Sequence, residues 1–195
     1  RALSSAASDV YKRQVDHCAY YLMENNTLLY EVMRCFGRIA FPVFAFLIAE
    51  GFRYTRNRMK YFLQLLGFGV VSEVPWYLLN GTDGTHNVMF TLALAVVALV
   101  AFEKLNKDGT LCCCVILLIA LIATWSGVDY EWRGVLVIVI FYLLETNRAS
   151  LPFGRMAQLL CAFPLMMHYG AWGALLACMI LSCLLYTSDA ADDKA

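Results

Sequence analysis

Seven residues of this chain have side chains suited to proton transfer or charge recognition in an apolar setting. Asp16 and His17 are adjacent at the end of an apolar stretch, Arg38 and Glu73 lie inside longer apolar runs, and His86, Asn87 and Asp129 flank such runs. Histidine titrates near neutrality, so it can accept a proton from a nucleophile, and a nearby carboxylate stabilises its charged form. A guanidinium can hold a carboxylate or polarise a carbonyl. Ionisable groups inside apolar segments are costly to bury, which marks them as functional candidates. Asp16, His17, Arg38 and Glu73 form the candidate catalytic set, and His86, Asn87 and Asp129 the candidate substrate-binding set. Plainer readings stand beside these. Asp16 and His17 can cap a helix at an interface, Arg38 can snorkel or hold the carboxylate of Asp16 or Glu73, and Glu73 can serve a structural pair. Glu50 stands three residues before Arg53, the spacing of an ion pair on one helix face.

The elements that must position these residues are membrane helices. Of 195 residues, 61% are hydrophobic and only 15% charged, a balance that excludes an ordinary soluble domain. The zero net charge carries no basic excess of the kind that nucleic acid attracts. Apolar runs fall at about Phe36–Phe52, Tyr61–Leu79, Val88–Glu103, Leu111–Trp125, Gly134–Glu145, Met156–Met167 and Ala171–Ser182, after a half-span at Val15–Met23. The run Phe36–Phe52 would rise roughly 26 Å as a helix, close to the thickness of a bilayer core. Strand-like alternation is absent, so the predicted fold is all-α: a polytopic transmembrane helix bundle of about seven or eight spans, embedded in a lipid bilayer. Sidedness follows from the loops. Arg53, Arg56, Arg58, Lys60, Lys104, Lys107, Arg148 and Arg155 fall on one side, against Arg34, Arg38 and Arg133 on the other. The first side is predicted to be cytoplasmic, which sets His17, His86 and His168 at the outer ends of their spans.

The two ends read as foreign. Ser4–Gln14 (SSAASDVYKRQ) and Cys183–Asp193 (CLLYTSDAADD) can be encoded by a DNA segment and its reverse complement, as expected of an adapter translated at both edges of an insert. Residues 1–14 and 183–195 are therefore set apart, leaving a fragment at 15–182 that is truncated at both ends. Within it no Cys or His spacing fits a metal site, so no metal is expected, and the cysteines read as small apolar filler. The echo of FGRIA at Phe36–Ala40 in FGRMA at Phe153–Ala157 is too short to establish a repeat.

Across 15–138 the chain resembles the TraX family of integral membrane proteins. The matching elements are Asp16-His17, GRIAFPVFAFLIAEGF at Gly37–Phe52, TRNRMKY at Thr55–Tyr61, VSEVPW at Val71–Trp76, HNVMFTL at His86–Leu92 and DYEWRGVLVI at Asp129–Ile138. Beyond Phe153 the match weakens, and the family's usual aromatic-Pro-His element is not found. The resemblance implies a multi-pass protein of the bacterial inner membrane that transfers an acetyl group from acetyl-CoA to an amine, such as a pilin N-terminus. Arg53, Arg56, Arg58 and Lys60 would then meet the phosphates of CoA, although positive-inside topology alone also explains them. A transporter or flippase, with Arg38, Glu73 and Pro75 lining a path, and a non-catalytic assembly factor are the competing readings.

Overall fold

The computed structural model describes residues 28–81, 84–146, 163–166 and 175–180, with side chains placed from Ile39 onward except at 144 and 145. Among them five helices follow one another: α1 (Leu28–Tyr54), α2 (Arg58–Asn80), α3 (Val88–Leu105), α4 (Gly109–Trp125) and α5 (Glu131–Thr146). Residues 163–166 and 175–180 are also helical. Each apolar run expected between Phe36 and Glu145 falls inside one of the five. The helices start earlier or end later because caps and polar termini extend them past the apolar core.

By length and composition, α2 with 23 residues and α3 with 18 can cross a membrane, and α4 is a shorter apolar helix of 17. The chain therefore has membrane-protein character. The seven or eight expected spans are not reached among the described residues, because the runs Met156–Met167 and Ala171–Ser182 lie largely outside them, as does Val15–Met23.

Residues 47–143 form one compact unit, and the remainder of the chain forms another. In the second, α1 as far as Phe46 buries Ile39, Ala40, Phe41, Val43 and Ala45. Pro42 sits inside this helix and lacks the N–H that would bond the carbonyl of Arg38.

The 47–143 unit is built around α3, which packs against both α2 and α4. Small residues allow the close approach: Ala93, Ala95 and Ala98 are buried, and a Cβ on Gly69 of α2 would stand 3.4 Å from Met89 and Phe90 of α3. Leu92, Val96 and Leu99, together with Val135, Ile138 and Phe141 of α5, complete the core. The outward faces are just as apolar. Phe68, Val71, Val74 and Leu78 of α2 and Leu117, Leu121 and Trp125 of α4 are more than half exposed, Trp125 at 91%. In water such faces would be unstable, whereas a hydrocarbon surrounding suits them.

Polar contacts fasten the two ends of the unit. At the end carrying the basic loop, the Arg58 guanidinium donates to Glu103 at 2.9 Å and stacks over the Phe52 ring at 4.0 Å. Tyr142 donates its hydroxyl to the same Glu103 oxygen at 2.9 Å, with its ring edge-on to Phe52. Three helices thus meet at one carboxylate, and α1 joins them through Phe52. At the opposite end, the loop after α2 and the loop after α4 form a one-residue parallel bridge. His86 N–H donates to the Gly127 carbonyl at 2.9 Å, and Asp129 N–H donates to the His86 carbonyl at 3.0 Å.

Gly127 makes that bridge possible. Its φ is +64°, and a Cβ there would lie 2.5 Å from the Gly84 carbonyl oxygen. Gly127→Ala is expected to destabilise the protein by at least about 1 kcal/mol. Gly67→Ala, at an open position inside α2, is expected to stabilise it by roughly 0.5 kcal/mol. Unfolding of both variants in detergent micelles checks the pair, and equal effects would show that the bridge is not under this constraint.

Candidate functional site

The bridged end assembles Glu73, His86 and Asn87. Glu73 projects from α2 two residues before Pro75, and Asn87 is the N-cap of α3, its Oδ1 accepting from Met89 N–H at 3.0 Å. The same amide donates through Nδ2 to the Gly69 carbonyl at 2.9 Å and to Glu73 Oε2 at 2.5 Å. The Asn87 backbone N–H donates to that carboxylate oxygen at 3.3 Å. Asn87 is buried, with all its amide atoms engaged, and it fixes one carboxylate oxygen of Glu73.

The other oxygen, Oε1, stands 2.5 Å from His86 Nδ1. With the carboxylate ionised, Nδ1 carries the proton and donates it, and the neutral ring keeps its lone pair on Nε2. Among the described residues Nε2 has no hydrogen-bond partner. The ring is held further by Phe90, edge-on at 5.8 Å, and by the backbone bridge through His86 itself. The side chain of His86 is 47% exposed, against 27% for Glu73. The geometry is that of an imidazole oriented by a carboxylate, on a side chain nearly half exposed.

Asp129 is brought beside this group through its main chain. Its carbonyl accepts from the buried Thr91 hydroxyl, and its Oδ1 accepts from Tyr130 N–H at 3.0 Å. Tyr130 and Glu131 follow with φ of +65° and +45°, consecutive left-handed conformations that side-chain-bearing residues avoid. Such strain costs on the order of 1–3 kcal/mol per residue and gathers at functional segments. Arg133 pairs with Glu131 at 3.5 Å and stacks on Trp132. Trp76 donates its indole N–H to Thr85, bracing the loop that carries His86.

The basic loop lies at the other end of α2 and α3. Of the four cations expected to meet CoA phosphates, Arg58 is committed to Glu103, the Thr55 carbonyl and the Phe52 ring. Arg53 lies over the Tyr54 ring at 5.6 Å. Arg56 and Lys60 are exposed. Asp16 and His17 lie outside the described residues, as does the side chain of Arg38. Among the described residues no group of three His, Cys, Asp or Glu side chains gathers to hold a metal ion.

In the sequence Glu73, His86 and Asn87 stand apart, Glu73 as a catalytic candidate and the other two as substrate-binding candidates. The structure joins them in one hydrogen-bonded group, and the pairing was not visible because it runs across the α2–α3 turn. The cue available was an interior acid followed, one turn-length loop later, by His-Asn at a helix start.

Together the fold and site define an all-helical membrane protein carrying a carboxylate-oriented histidine at one end of its bundle. The chain belongs to the TraX family: the family model described as TraX protein matches residues 13–193. It is 31% identical over 126 residues to Protein TraX of Escherichia coli, covering 64% of this chain and 49% of that protein. It is 37% identical over 97 residues to the probable fimbrial assembly protein FimC, serogroup H1, of Dichelobacter nodosus, covering 44% and 39% respectively. The chain thus spans about half or less of the length of these curated relatives. No solved structure matches it.

The role given to Asn87 has a sharp test. Asn87→Ala removes a helix cap and takes one side-chain donor each from Glu73 and the Gly69 carbonyl, leaving Glu73 the backbone N–H and His86, and is expected to lower stability by about 2 kcal/mol. Asn87→Asp keeps the cap acceptor yet sets a carboxylate against Glu73, so it is expected to be the more damaging of the two. Unfolding midpoints decide. An Asp variant as stable as the parent would mean that Glu73 is not held as described.

Proposed function

We propose that the chain is the membrane core of an acetyl-CoA-dependent N-acetyltransferase. It lies as a multi-pass protein in the bacterial inner membrane, basic loop inward, and its acceptor is an amine such as a pilin N-terminus. Membership of the TraX family and the fimbrial assembly name of one relative support the setting. The observation that carries the chemistry is the imidazole oriented by Glu73 with Nε2 unpartnered among the described residues.

In this reading His86 Nε2 takes the proton of the amine as its nitrogen attacks the thioester carbonyl. A carbon–nitrogen bond forms, the carbonyl oxygen becomes an oxyanion, and collapse breaks the carbon–sulfur bond. The CoA thiolate leaves and recovers the proton from the imidazolium. Glu73 stabilises the imidazolium while it exists and keeps the ring in the correct tautomer, and Asn87 holds Glu73 in place. Asp16, His17 and Arg38 keep the catalytic roles that the family resemblance implies, with His17 the second candidate base. His86, Asn87 and Asp129 also stand where an acceptor would enter. Arg53, Arg56 and Lys60 are the exposed cations for CoA phosphates, and Arg58 fastens the loop that presents them.

A second reading, an assembly factor without chemistry, rests on that same relative's name. The protein in lipid nanodiscs, given labelled acetyl-CoA and an amine-terminated peptide, separates the two. Acetyl transfer is expected. His86→Ala should lower kcat by about 10²- to 10⁴-fold, and Glu73→Gln by a smaller factor with KM little changed. Turnover by His86→Ala at the parent rate would remove His86 as the base and pass the role to His17. Failure of the parent to consume acetyl-CoA would favour the assembly reading.

A further inference from the structure

A groove of about 260 Å³ opens beside His86, between α2, α3 and the loop after α4. Its walls are the side chains of Phe62, Leu66, Phe90 and Leu94, and its polar lining residues, His86 and Ser126, stand together at the bridged end. Phe62 precedes Glu73 by about three turns of α2, so the groove runs from the imidazole toward the basic end. At about 30 Å³ per methylene-sized group, it has room for roughly eight of them.

An acetyl methyl would fill only one such place. The pantetheine arm of CoA carries amides that this apolar wall would leave without partners. The groove calls for an apolar chain attached to a polar head at His86. Its depth, reaching from the loop end into the level of the exposed apolar faces, matches an amphiphile whose head stays near the interface.

We propose that the groove seats the apolar part of the amine acceptor, so that the preferred substrate is a primary amine borne on a hydrocarbon chain rather than a small water-soluble amine. This rests on the acetyl-transfer reading above. The amine nitrogen sits at His86 Nε2 and the chain runs along Phe90, Leu94 and Leu66 toward Phe62. Burial of each methylene strengthens binding about three- to fourfold until the groove is full.

The test uses the protein in nanodiscs with acetyl-CoA and a series from ethylamine to dodecylamine. kcat/KM is expected to climb with chain length and level off near eight carbons. Leu94→Trp, at a half-buried position, should bring the octylamine-to-ethylamine ratio down to about one, whereas Phe62→Ala should move the plateau to longer chains. If Leu94→Trp does not fold, Phe62→Ala carries the comparison. A flat series overturns the proposal, and so does a rise that neither variant alters, since partition into lipid would then explain it. A chain-length preference on the acyl donor, read with ethylamine and acyl-CoAs, also overturns it. If no amine is acetylated at all, the acetyl-transfer reading falls and labelling decides the groove separately. Octylamine with a terminal diazirine should mark Leu66 or Phe62, in competition with octylamine but not ethylamine, and labelling elsewhere would contradict the assignment.

Discussion

The bridged end of the molecule depends on one carboxylate, that of Glu73, held on both oxygens. Asn87 takes one oxygen through its side chain and its backbone, and His86 takes the other. An unpaired carboxylate on a membrane helix would be expensive, so the group is stable only as a set. The consequence is structural first. Asn87 joins α2 to the start of α3, and the His86 backbone joins that turn to the loop before α5. The imidazole orientation is a by-product of the same bonds. A device that fastens helices therefore also presents a basic nitrogen, and packing alone would not require a ring nearly half exposed with Nε2 unpartnered among the described residues.

The opposite end is organised on the same principle with a different result. Glu103 gathers Arg58 and Tyr142, and Phe52 stacks against both. There the charge is consumed by the fold. Arg58 reads in sequence as one of four equivalent cations, yet it is a fastening residue, whereas Arg53, Arg56 and Lys60 are exposed. The two ends are separated by most of the length of α3, roughly 25 Å. Any reaction that uses both must carry a flexible substrate arm through the bundle or along its side.

Much of this was legible in the residues. Apolar runs of bilayer length gave the helices, because in hydrocarbon the backbone must bond to itself. Glu73 announced itself as an acid where an acid is costly. Contacts across turns were not legible. Nothing in VSEVPW and HNVMF shows that Glu73 reaches His86, because that depends on the length of the 81–85 loop and on Asn87 acting as a cap. The bridge through Gly127 was equally hidden, since a glycine in a loop does not reveal which strand of backbone crosses it. Nor could the groove be foreseen: Phe62, Leu66, Phe90 and Leu94 look like ordinary lipid-facing residues until the helices are set side by side.

The central claim is that Glu73 sets the tautomer and orientation of His86. Nitrogen-15 NMR of the histidine side chains, in protein labelled at its three histidines and embedded in lipid, tests it directly. The arrangement predicts that His86, when neutral, carries its proton on Nδ1 with Nε2 bare, and that Glu73→Gln shifts the Nδ1 signal markedly. A neutral His86 protonated on Nε2, with a spectrum indifferent to Glu73→Gln, would contradict it.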